Sequence, residues 1–239
     1  MKQPIEYIIG QISDLLLING GFLDHPGLYT GEMGVALFFT RYARYTRNDL
    51  YLDYSYDLME KAQNNIHWDT SINYKHGLTG VGSAIEYLVQ NRFIEADTDD
   101  VLEEFDNRIF FTYNLPYLPV EEIMDIGYYA GWRMSGNSSK KDMIRQNILS
   151  QIENALIERS VNPICLQINR TSTPIGFENK TFAHCQALIA NNEFWNKNIW
   201  LYDGLAGWGL SLLTELDGDD TWFPLIPNGR THRFAPTNP

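Results

Sequence analysis

The sequence predicts an all-α protein of helical hairpins arranged in two concentric layers. Three observations carry this. Apolar residues recur at helical spacing over nearly all of the 239 residues, alternating strand patterns are scarce, and a glycine-punctuated motif returns at a period suited to two helices and their connections. Thr30-Gly31-Glu32-Met33-Gly34, His76-Gly77-Leu78-Thr79-Gly80 and Asp203-Gly204-Leu205-Ala206-Gly207 share one pattern, each followed by an apolar helix-like run. Gly127-Tyr128-Tyr129-Ala130-Gly131-Trp132 is a looser relative. Gly31 and Gly77 lie 46 residues apart and Gly77 and Gly127 lie 50 apart, while the 77 residues from Gly127 to Gly204 leave room for a missing or diverged unit.

The elements follow in order. Ile5, Ile8, Ile9, Ile12, Leu15 and Leu16 make one stripe of a first helix. Residues 33–46 carry Val35, Ala36, Phe38, Phe39 and Tyr42; residues 49–66 carry Leu50, Leu58, Met59, Ala62 and Ile66. Residues 98–112 follow an acidic cluster suited to a helix N-terminus, and 139–159 follow capping serines with Ile144, Ile148, Ile152, Ala155 and Leu156 on one face. Helices are also predicted at 82–92, 119–134, 180–192 and 205–216, and one short strand at 164–169. This makes a single domain over 1–239, with hairpins to 216 and a Pro-rich, non-helical tail over 217–239. In that tail Trp222, Phe223, Leu225 and Ile226 are placed to cover an apolar gap. Within a unit the glycine-led helix is largely apolar and its partner charged, which puts the first kind inside and the second outside. About eight or nine helices form four or five hairpins, so the ring is incomplete or short.

Charge and composition narrow the function classes. A net charge of -12 without a basic cluster argues against nucleic acid and anionic membranes as partners. No run reaches the roughly 18 apolar residues of a membrane span, and Glu6, Gln11, Ser13 and Asp14 break the first segment as a secretory leader. Two cysteines, Cys165 and Cys185, exclude a disulfide scaffold and suit a reducing compartment, so the expected location is cytoplasmic.

The glycines suggest open helix starts, where positive φ or close backbone approach is needed and N–H groups face an anion. The residue before each glycine then reads as the cap. Thr30 and Asp203 are ordinary caps, whereas His76 is a poor cap that ionises near neutrality. His76 either bonds locally or serves as proton donor and acceptor in a shared cavity.

At these residues the chain resembles lanthionine synthetase C-like proteins. HGLTGVGSAIEYL, DGLAGWGLSLLTEL and TGEMGVALFF look like that family's glycine-led inner helices, from about residue 25 to 216. The resemblance implies an α/α toroid and a peptide-modification setting, in which cyclase members use central zinc to add cysteine thiolates to dehydrated serine or threonine. It also implies a proton-transfer role for His76. The metal site does not carry over: Tyr202-Asp203-Gly204 stands where a Cys-His pair before the last repeat's glycine is expected, and Lys75-His76 before Gly77 also lacks the cysteine. Cys165, His184 and Cys185 offer zinc-type ligands, but neighbouring helical residues point about 100° apart, so no metal or other cofactor is assigned.

The expected site has His76, Asp125 and Asp203 as acid and base groups. Thr30, Gly31, Gly77, Tyr128, Trp132, Arg133, Tyr202, Gly204 and Trp208 are the binding groups. Arg133 pairs with Asp125 two turns away or binds a peptide carboxylate. The favoured function is an atypical, zinc-less family member that binds or modifies a peptide, with a peptide or protein partner or self-association covering open ring ends. The alternatives are an α/α-barrel enzyme acting on a carbohydrate or peptide through His76 and a carboxylate, and a structural interaction module filled by its own side chains.

Overall fold

A computed structural model describes residues 2–160 and 181–227, and these are helical without a strand. The helices are α1 (Lys2–Gly20), α2 (Glu32–Thr46), α3 (Asp49–Asn64), α4 (Leu78–Gln90), α5 (Thr98–Val101), α6 (Glu103–Phe111) and α7 (Val120–Ser135). They continue with α8 (Lys141–Met143), α9 (Ser150–Ile157), α10 (Thr181–Ala190) and α11 (Leu205–Asp217). The strand expected at 164–169 and the segment 228–239 lie outside the described residues, as does Cys165.

Four helices lie side by side in the order α11, α2, α4, α7; the first three start directly after a motif glycine, whereas Gly127 falls in the middle of α7. Each is buried along an unbroken stretch: 31–41 in α2, 77–84 in α4, 125–130 in α7 and 204–213 in α11. The others bury only one stripe. In α3 it is Ser55, Leu58 and Ala62; in α6 Asp106, Ile109 and Phe110; in α9 Ile152, Ala155 and Leu156. α3 packs on α2, α6 on α4, α9 on α7, and α1 and α10 on α11. Among these residues the four helices of the row are buried on several sides and the others along one stripe. Helices buried all round need neighbours on several sides, and single-stripe helices need one.

Short connections fix the pairing. α2 and α3 are joined through Arg47, which takes a left-handed φ of 55°, and Asn48, whose side chain accepts the Leu50 N–H at 3.1 Å as the N-cap of α3. No helix among the described residues is long and apolar enough to cross a membrane.

Four details depart from the sequence reading. The single helix expected over 98–112 breaks at Leu102, and the break lets Thr98, Asp99 and Asp106 all reach Arg133. Arg133 does not pair with Asp125. Its fully buried guanidinium bonds Glu86 at 3.0 Å, Asp99 at 2.6 Å and Asp106 at 2.9 and 3.1 Å, and donates to Thr98 at 3.1 Å. The segment 139–159 is helical but passes through a π turn at Ile144–Leu149, with the predicted stripe Ile144, Ile148, Ile152, Ala155 and Leu156 buried. In the tail, Trp222 is fully buried and donates from Nε1 to Thr214 at 3.0 Å, and a 3₁₀ turn at Phe223–Leu225 interrupts the non-helical reading.

The Asp99 carboxylate ties this cluster to the turn before α8. Burial pushes its pKa up, but hydrogen bonds from the Ser138 hydroxyl, the Ser139 hydroxyl and N–H, and Arg133 outweigh burial and hold it well below the carboxylate range. A depressed folded-state pKa stabilises the protein above the unfolded value and loses that contribution as pH falls through the folded one. Asp99→Asn should therefore be less stable than wild type at pH 7. The gap between their urea midpoints should narrow below about pH 4; a gap constant from pH 7 to 3 would refute this.

Candidate functional site

The three motif helices share one start. The first helical N–H bonds a carbonyl seven residues back: Glu32 to His25 at 3.1 Å, Leu78 to Ser71 at 2.9 Å, and Leu205 to Asn198 at 2.8 Å. Gly31 and Gly77 also donate to Gly27 and Asn73, at 3.0 and 2.8 Å. The helix ends are thus sealed by their own leading loops, which corrects the reading of the glycines as an open anion-binding rim. The caps are Gly31, Gly77 and Gly204 themselves, not Thr30, His76 and Asp203.

All three cap glycines have negative φ, so close approach rather than left-handed geometry requires them. A β-carbon at Gly31 would collide with the His25 carbonyl, one at Gly77 with the Ser71 carbonyl, and one at Gly204 would lie 2.6 Å from the Trp200 oxygen. Asp203 instead carries the strain, with φ of 52°.

The loops then seat on neighbouring helices. Leu201 packs over Gly34 of α2, Leu28 over Gly80 of α4, and the Tyr74 N–H bonds the buried Asp125 carboxylate of α7 at 2.9 Å. Backbone bonds lace the loops together: Tyr29 N–H to Lys75 O at 2.8 Å, and Leu201 and Tyr202 N–H to Tyr29 O at 2.9 and 3.1 Å. A row of rings runs across the same junction. Tyr202 stacks on Tyr29 at 5.1 Å, Tyr29 meets Tyr74 edge-on at 6.1 Å, and Tyr74 meets Tyr128 at 5.8 Å.

His76 stands at the exposed rim of this junction. Its Nδ1 lies 2.8 Å from the Thr30 hydroxyl, which is 3.5 Å from Nε2 of His25. The two imidazoles sit edge to face at 6.2 Å. Partial burial, then His25, then Lys75 lower the His76 pKa, favouring a neutral ring. Glu32, the first residue of α2, is fully buried; it accepts from Asn65 at 2.7 Å and has its pKa raised by burial. Lys61 lies 3.8 Å from Glu32 and holds the loop by donating to the Gly21 and Leu23 carbonyls.

Of the expected site residues, Thr30, His76, Tyr202, Gly31, Gly77 and Gly204 gather at this junction. Asp203 follows Tyr202 and is exposed, with no hydrogen bond or ion pair to a described residue. Asp125 lies beneath the junction with its carboxylate on the Tyr74 N–H. Tyr128, Trp132, Trp208 and Arg133, read as binding groups from sequence, are at most 6% exposed, the rings packed inside and Arg133 held by its carboxylates. Trp132 packs on Tyr87 and Trp208 on His184.

Sequence reasoning missed His25. Its signal was its place six residues before a motif glycine, matched by Ser71 and Asn198, a polar position shared by all three units. It also missed a cleft of about 350 Å³ beside the α11 loop, lined by Phe22, Trp195, Asn196, Asn198 and Trp200 among others.

The zinc-type ligands fit poorly. Cys185 is fully buried inside α10, and burial, with Glu215 adding to it, pushes its thiol up to about 12, leaving no thiolate near neutrality. Its neighbour His184 packs its ring against Trp208 at 5.0 Å. Among the described residues no group of three or more His, Cys, Asp or Glu could hold a metal ion.

Comparisons with family models, with curated proteins and with solved structures find no match to this chain.

Proposed function

We propose that this chain is an atypical, zinc-less protein of the lanthionine synthetase C-like kind, which binds a dehydrated peptide and acts on it through His76. The observation that carries the reading is the exposed His76 imidazole held by Thr30 where three glycine-led helix starts are laced together. A neutral imidazole with one nitrogen fixed by a hydroxyl leaves Nε2 available to accept a proton. The run α11, α2, α4, α7, each with a packed partner helix, supports the reading as part of an α/α toroid. The cleft beside the α11 loop supplies apolar rings and asparagine amides suited to an extended peptide, with Phe22 82% exposed.

The test uses a synthetic peptide carrying dehydroalanine and cysteine. Fluorescence anisotropy reads binding, and alkylation followed by mass spectrometry reads loss of free thiol. Wild type should bind, Trp200→Ala should weaken binding about tenfold, and His76→Ala should bind normally yet consume no thiol. Absence of both binding and thiol loss in wild type overturns the proposal. Stoichiometric zinc that disappears in Cys185→Ala overturns its zinc-less part.

A further inference from the structure

We propose that His25, Thr30 and His76 form one proton-sharing unit, in which the Thr30 hydroxyl connects Nδ1 of His76 to Nε2 of His25. The inference rests on the reading of His76 as the reacting group and adds to it a second imidazole that takes up the proton.

Three features support the unit. The hydroxyl sits between two nitrogens, at 2.8 and 3.5 Å, and a hydroxyl can accept from one while donating to the other. The outer ring is exposed and the inner one half-buried, so they form a path from surface to interior. The far nitrogen of His25, Nδ1, is buried without a hydrogen-bond partner, so that ring's polar contact is directed at Thr30 alone. The backbone fixes the spacing: the His25 carbonyl seals α2, and the Tyr29 N–H ties this loop to Lys75 beside His76.

The proton balance is simple. A substrate proton binds His76 Nε2 and the Nδ1 proton passes to the Thr30 oxygen. The hydroxyl's own proton passes to His25 Nε2, and His76 is neutral again. The charges facing the unit are Lys75 from the same loop as His76, Asp24 beside His25, buried Glu32 at the start of α2 and Lys61 from α3.

The experiment is a pH titration of the full chain by ¹H–¹⁵N NMR of the histidine rings, with no substrate, so its outcome is independent of whether the peptide reading survives. In wild type, His25 and His76 should each show two inflections, as coupled sites do, and neutral His76 should be held as one tautomer. Thr30→Val should release His76 to a tautomer mixture and leave His67 unmoved, while Thr30→Ser should preserve the wild-type pattern. His25→Gln should give His76 a single inflection at higher pH and serves if Thr30→Val does not fold. Independent single inflections in wild type, or a His76 tautomer unchanged in Thr30→Val, overturn the unit.

Discussion

Replacing Gly80 by alanine is expected to lower the unfolding free energy by about 3 kcal/mol, although alanine is the better helix former by about 1 kcal/mol. A β-carbon there would fall on the Tyr74 carbonyl oxygen and lie 3.1 Å from Cβ of Leu28. Neither neighbour can retreat. The Tyr74 N–H is bonded to Asp125, and the Tyr29 N–H next to Leu28 is bonded to Lys75. The thermal midpoint should fall by roughly 6–12 °C for a chain of this size. Gly10, inside α1 with open space around its β position, is the control: Gly10→Ala should gain about 0.5–1 kcal/mol. A Gly80→Ala protein as stable as wild type would show that the seated loop yields.

Arg133→Met should be the more damaging change, at about 3–5 kcal/mol. The methionine fills similar space, so the loss is electrostatic. Glu86 and Asp106, with side chains at most 1% exposed, would be left among the described residues with only Lys140, 3.1 Å from Asp106, as an ion-pair partner. Arg133→Lys keeps the charge but not the planar fork that serves three carboxylates, and should fall between the two. Adding Glu86→Gln to Arg133→Met should recover part of the stability, because one uncompensated charge is removed. Urea denaturation of the three variants decides the matter, and equal losses for Arg133→Met and Arg133→Lys would contradict it.

The helices and their division into fully buried and one-sided kinds were legible because apolar spacing records burial directly. Ile5, Ile8, Ile9, Ile12 and Leu16 form the buried face of α1 as their period requires. The motif glycines were legible as points of close approach but not as to what approaches them. The partner of Gly77 is a carbonyl six residues earlier, and no pattern of side chains encodes where a loop will fold back. The same blindness misplaced the caps by one residue. Arg133 shows the other limit: its three carboxylates come from α4, α5 and α6, and only tertiary structure decides which of many acids a buried cation meets. His25 was overlooked because an isolated histidine in a loop carries no periodic signal of its own.

The interlaced loops also constrain how such a protein can change length. Two leading segments rest on the adjoining unit's glycine and the third on its buried Asp125, so a duplicated hairpin would need a matching site prepared on the unit it joins, and a deleted one would leave such a site uncovered. Growth or shrinkage by whole-unit copying, open to arrays whose members merely stack, is closed here; variation in size is confined to the outer helices and the turns that reach them.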